Sequence, residues 1–163
     1  ANSMVAQDLL DSINNQGGAS TEVDRWYAGG WQAHIGSYPF NNYSIDMGNA
    51  YFVKNSRPSV WIASGTMPTA SGMGVMGVMA SGDVVVNLGQ GWNLVSIPYG
   101  TPSYTAQGLL NAINAQGGGA IEVHRWYAGG WQAHIDGLPI NDFVIEAGRG
   151  YFIKTTRAST WRP

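Results

Sequence analysis

The sequence predicts an α+β fold of two tandem, small, β-rich units, each with one short helix and two β-hairpins. Three observations carry that prediction. Residues 6–61 align with 106–161 at a constant offset of 100 without a gap, and 32 of the 56 pairs are identical. Each copy holds one stretch with apolar residues at helical spacing. The rest of each copy runs in short β-branched and aromatic segments punctuated by glycine. The match extends to loops: RWYAGGWQAHI at 25–35 recurs unchanged at 125–135. A repeat of that length and quality marks two copies of one structural unit.

The elements are clearest in the second copy. Residues 83–88, with Val84, Val85 and Val86, read as a strand, and GWNLVSIP at 91–98 reads as another, stopped by its proline. TAQGLLNAINAQ at 105–116 reads as a helix with Leu109, Leu110 and Ile113 on one stripe. Thr105 suits its N-cap and Gly117-Gly118 its end. Residues 121–128 and 131–136 predict a hairpin around Gly129-Gly130, because paired glycines accept the positive φ of a tight turn. Residues 143–147 and 150–156 predict a second hairpin around Gly148-Arg149-Gly150. The expected core contains Trp26, Trp31, Trp92, Trp126 and Trp131, with Leu9, Leu10, Ile13 and their counterparts at 109, 110 and 113. The resulting division is a first unit at 1–61, a Gly/Met/Ser-rich linker or donor segment at 62–83, and a complete second unit at 84–163.

Composition narrows the function classes. Hydrophobic residues make up 44% and charged residues only 11%, against roughly 25% charged in an ordinary soluble domain. The net charge is −2 and the only lysines are Lys54 and Lys154. Without a basic stripe, neither a nucleic-acid footprint nor a polybasic membrane anchor is expected. No apolar run approaches the ~20 residues of a membrane span, so direct insertion is not expected. The chain has no cysteine, which excludes disulfides and thiolate metal sites. Lack of cysteine, few lysines and abundant Gly, Asn, Ser and Trp predict a secreted, cell-surface protein. A chain beginning at Ala1 predicts a processed or excised segment.

The series GWNLVSIP, helix, RWYAGGW and IEAGRGYFIK resembles modules repeated in large secreted bacterial surface proteins. The likeness covers nearly all of 91–161, and 6–61 without the leading strand. It implies an extracellular structural or adhesive role and no particular activity.

The first copy has no counterpart of 84–98 ahead of its helix. Two bodies therefore share one strand of the Trp92 type, and a small sheet short of a strand exposes unpaired backbone groups. Three readings stay open. The linker folds back on its own unit; a neighbouring molecule inserts a strand; or the upstream strand was trimmed away. The donor residues of the second reading are Val75, Met76, Val78, Met79, Val84, Val85 and Val86. Head-to-tail insertion does not close and builds filaments.

One polar–aromatic constellation repeats. With Gly29-Gly30 as the turn, Tyr27 faces Gln32 and Arg25 faces His34, all on one sheet face. Trp26, Trp31, Ala33 and Ile35 take the other, core face. The second copy repeats the set as Arg125, Tyr127, Gln132 and His134. An aromatic plane flanked by such groups can stack on a sugar and bond its hydroxyls, although a solvated sheet face is the plainer reading. No metal site is expected at the histidines, since neither has a second ligand nearby in sequence. Met73, Met76 and Met79 read as an apolar tether rather than a copper site. Asp46 and Glu146 read as turn formers, because a glycosidase needs two carboxylates across a cleft. No nucleophile–base motif or phosphate loop is present. The expected function is a non-enzymatic structural module that needs no cofactor. Its expected partners are copies of itself or neighbouring modules, joined by strand donation. The alternative is a glycan-binding adhesion module using the Arg-Tyr-Gln-His face.

Overall fold

The computed structural model describes residues 4–46, 48–62 and 84–163. The chain is mixed α+β and rich in antiparallel strands. It divides into two compact units: residues 4–46 with 51–62, and Gly48–Ala50 with 84–163.

In the first unit, helix α1 (Ala6–Asn15) precedes strands β1 (Ser20–Tyr27), β2 (Gly30–Ile35) and β3 (Phe52–Asn55). The strands form one antiparallel sheet in the order β2-β1-β3. The Asp8 carboxylate accepts the Val5 N–H and closes the start of α1. Leu9, Leu10 and Ile13, the expected stripe, are buried with Ala6 against Val23 and Tyr43. The helix ends where Gly18 passes the Ile13 carbonyl. A Cβ there would sit 2.7 Å from that oxygen, so only glycine fits without a shift.

The second unit opens with β4 (Val86–Leu88), β5 (Gly91–Ser96) and β6 (Tyr104–Thr105). Helix α2 (Ala106–Ala115) follows, with the Thr105 hydroxyl accepting the Gly108 N–H at 3.1 Å as its cap. Next come β7 (Ala120–Tyr127), β8 (Gly130–Ile135), β9 (Val144–Ile145), β10 (Gly150–Thr155) and β11 (Ser159–Trp161). The main sheet runs β5-β10-β7-β8, and two short pairs, β11-β4 and β6-β9, extend the unit. Asn49 also bridges Val95, and the Gly48 carbonyl accepts the Ser96 N–H. Leu109, Leu110 and Ile113 lie in one core with Val86, Leu88, Val95, Ile97, Tyr151, Ile153 and Trp161.

Three expectations need correction. First, the hairpin turns are Ala28-Gly29 and Ala128-Gly129, one residue earlier than expected. Ala28 and Gly29 have φ of 50° and 82°, and Ala128 and Gly129 have 51° and 83°, the paired left-handed residues of a tight hairpin turn. Arg25 therefore opposes Gln32, Val23 opposes His34, and Trp26 opposes Trp31. The shift leaves every residue on its expected face and places the two indoles directly across from each other.

Second, the faces are buried the other way round. Helix α1 covers the Val23 and His34 face, and both residues are buried. Trp31, Trp126 and Trp131 are about half exposed, while Trp26 and Trp92 are partly buried. Large apolar area alone does not send a side chain inward; the face the single helix covers decides. The outer indoles pack edge to face on one another and on phenylalanine, Trp26 on Trp31 at 5.4 Å and Trp31 on Phe52 at 5.5 Å. The fully buried tryptophan is Trp161.

Third, 143–147 and 150–156 do not pair as a hairpin. β9 pairs with β6, and β10 lies between β5 and β7. The Gly148 N–H donates to the Ile97 carbonyl at 2.7 Å, and the Ile97 N–H donates to Arg149 at 3.1 Å. The turn thus closes around Ile97 instead of returning on itself.

Candidate functional site

The repeated polar set sits on the hairpin arms, β1 with β2 and β7 with β8. Alternation along a strand places Arg25 and Tyr27 on one face, and the observed register sets Gln32 opposite Arg25. Arg25 Nε donates to Gln32 Oε1 at 2.8 Å. Its guanidinium lies 4.6 Å from the Tyr27 ring centre and 4.0 Å from that of Tyr43. The cation is thus flanked by two aromatic faces. Tyr43 stacks on Tyr51, and its hydroxyl donates to the Val23 carbonyl at 2.7 Å. Burial raises the pKa of that hydroxyl above the ordinary tyrosine value.

The second unit repeats the arrangement. Arg125 Nε reaches Gln132 Oε1 at 2.9 Å, and the guanidinium lies 4.6 Å from Tyr127 and 4.3 Å from Phe143. Phe143 replaces Tyr43, and Arg125 gains a contact to the Val144 carbonyl at 3.4 Å. Tyr27 and Tyr127 stand at the hairpin tips, 61% and 54% exposed.

The histidines are set apart from this group. His34 is fully buried, with Nδ1 3.0 Å from the Phe40 carbonyl and Nε2 3.0 Å from Gln7 Oε1. The same Gln7 oxygen accepts the Ser37 N–H at 2.9 Å, and Gln7 Nε2 donates to Asp11. His134 lies 2.9 Å from the Ile140 carbonyl and 3.0 Å from Gln107 Oε1. With both ring nitrogens engaged in the interior, these rings tie the hairpin base to the helix and to the loop that follows β2 or β8. The exposed members of the set are therefore Tyr27 and Tyr127, with Arg25, Gln32, Arg125 and Gln132 partly buried behind them.

Sequence reasoning missed the amide side chains that hold each unit together. Asn14 accepts the Ser20 N–H and donates to the Ser20 carbonyl, at 2.7 and 3.0 Å. Asn114 does the same to Ala120. Gln16 accepts the Ile62 N–H at 2.9 Å and donates to its carbonyl at 3.1 Å; Gln116 treats Arg162 likewise. The available signal was INNQGG and INAQGG, in which Asn14, Gln16 and their counterparts are identical.

Elsewhere the chemistry is that of turns and surfaces. Glu146 pairs with Arg149 across the turn, and the Asp46 N–H donates to the Tyr51 hydroxyl. Asp24 has its pKa raised by burial and by neighbouring Glu22. Its counterpart His124 instead contacts Glu122 at 2.6 Å. Among the described residues, no group of three acidic or histidine side chains could hold a metal ion. Nor, among the described residues, is any helix long and apolar enough to cross a membrane.

Of the expected donor residues, Val86 lies in β4, paired with β11 and buried in the second unit's core, and Val84 packs against that core. Val85 points outward. Val75, Met76, Val78 and Met79, with Met73, lie outside the described residues. No protein-family model matches the chain, and neither a curated protein nor a solved structure matches it significantly.

Proposed function

We propose that the chain is a non-enzymatic structural module of an extracellular, cell-surface or filament-forming protein. In this reading it is a tandem repeat of one small unit. It joins copies of itself or neighbouring modules by β-strand donation from the linker 62–90, with 64–74 as the reach and 75–88 as the apolar, β-branched donor. The observation that carries the reading is what the two copies keep and what they change. They keep the helix stripe, the amide clamps, the buried histidine and the Arg–Tyr–Gln stack. They differ in charge at Asp8 and Gly108, Asp11 and Asn111, Asp24 and His124, and Asn42 and Asp142, while Glu22, Arg25, His34, Lys54 and Arg57 recur at the offset of 100. The kept residues are those whose contacts hold each unit together: His34 and His134 are buried with both ring nitrogens engaged, and Arg25 and Arg125 pack on aromatic rings, which suits a scaffold. Light scattering and electron microscopy of the intact chain test the reading, with concentration-dependent assembly expected. Deleting 72–82 should stop assembly and leave 106–161 folded. A saturable hydrolase or transferase activity abolished by one point substitution would overturn it.

The exposed Tyr27 and Tyr127, each over a guanidinium, support an adhesive second reading in which the hairpin tips stack on glycans. Glycan-array binding that disappears in the Tyr27→Ala, Tyr127→Ala double variant would favour that reading.

A further inference from the structure

The two units differ at one rim. In the second, β11 is paired by β4, with Ser159 opposite Leu88 and Trp161 opposite Val86. Trp161 is 0% exposed, and Val86 and Leu88 are buried beside it. The equivalent segment of the first unit is Ser59-Val60-Trp61. Among the described residues no strand pairs with it, and Trp61 is 37% exposed. The segment is nonetheless held in place. Gln16 grips both backbone groups of Ile62, as Gln116 grips Arg162. Trp61 Nε1 donates to Ser12 Oγ at 3.0 Å, whereas Ala112 in the second unit leaves the buried Trp161 Nε1 without a partner.

The substitutions at this rim run against solvent exposure. Val60 and Ile62 stand where the second unit has Thr160 and Arg162, and they are 78% and 70% exposed. An edge built for water would carry the polar pair. This edge is apolar on both faces and fixed in position, so little ordering remains to be done on binding.

We propose that Ser59–Trp61 is an acceptor for an added β-strand of the β4 type, an extended segment with apolar residues at alternate positions. The occupant follows from the second unit, where Val86 and Leu88 of such a strand cover the equivalent tryptophan. The strand would pair antiparallel through backbone hydrogen bonds, with Trp61 taking the alternate side chains as a pocket wall. The inference rests on the structural-module reading and specifies its receiving end.

The test uses the intact 163-residue chain, isotope-labelled and kept at a monomeric concentration, with a synthetic peptide of residues 82–90 as probe. Saturable binding is expected, with chemical-shift changes at the amides of 59–61 and the Trp61 indole. Exchange of those amides should slow by about tenfold or more. A peptide with Asp at the Val86 and Leu88 positions should not bind, and Trp61→Ala should lose binding while keeping the α1 and β1 resonances. Shifts elsewhere, no saturation, or amides already protected without peptide, meaning that the chain covers its own rim, would each overturn the acceptor. Light scattering separates this from the broader reading. Peptide binding by a chain that never assembles upholds the acceptor and removes self-assembly. Assembly unaffected by Trp61→Ala removes the acceptor alone.

Discussion

At Ala28 and Ala128 an alanine occupies a left-handed turn position that glycine or asparagine takes at far lower cost. Ala128→Asn should therefore stabilise the second unit by about 0.5–1 kcal/mol, read as a higher thermal midpoint with an unchanged hairpin register. Gln107 is the opposite case. Its side-chain oxygen serves both His134 Nε2 and the Gly137 N–H. Gln107→Leu removes that oxygen from a buried ring nitrogen and should cost about 1–3 kcal/mol, measured by denaturant unfolding. The alternation RWY in sequence places Arg and Tyr on one face, so that pairing within the candidate site was legible. The burial of His34 was not, because its partner Gln7 lies 27 residues away.

Helices α1 and α2 were legible because Leu, Leu and Ile at helical spacing leave one solution, and the glycine pair fixes the stop. The sheet faces were not. Strand β2 alternates Trp31, Ala33 and Ile35 with Gln32 and His34, which argues for burying the indole side, and nothing local says that the helix covers the other. The β6–β9 pairing was equally hidden, since it depends on how the turn at Gly148 closes on Ile97. Strand pairing also sets energetic differences between like elements. Trp161→Ala should cost about 3–5 kcal/mol, as expected for deleting a buried large aromatic. Trp61→Ala should cost clearly less, and paired denaturation curves test the contrast. The start of α2 adds a pH dependence. The Asp142 carboxylate accepts the Gln107 N–H at 2.8 Å, which together with Thr105 holds its pKa below the ordinary aspartate value. A lowered folded-state value means stability that is complete above the ordinary value and is lost as pH falls through the lowered one. Acid titration of unfolding should show this loss in the second unit, and Asp142→Asn should flatten it. The first unit, with Asn42 at that place, should lack it.

For the whole chain, the apolar interior is unevenly distributed. The first unit's core gathers around Leu9, Leu10, Ile13, Val23 and Tyr43, whereas the second adds Val86, Leu88, Val95, Ile97 and Trp161 to the same helix stripe. Local opening costs less where fewer apolar contacts must break. Hydrogen exchange should therefore be faster across Ser20–Tyr27 than across Ala120–Tyr127, and equal protection in both strands would contradict this account. The offset of 100 makes the two-copy pattern plain in the sequence. That Gly48–Ala50 groups with 84–163 was not, because three residues carry no periodic pattern.

The grip of Gln16 on Ile62 and of Gln116 on Arg162 has an evolutionary consequence. One primary amide meets one peptide group, donor to acceptor and acceptor to donor, so the fastening ignores the side chain it fastens. An isoleucine and an arginine are held equally well, and any residue but proline would serve. Mutation can rewrite this position without loosening the closure of the unit. A duplicated unit can therefore change the chemistry of its rim, polar in one copy and apolar in the other, while its frame stays the same.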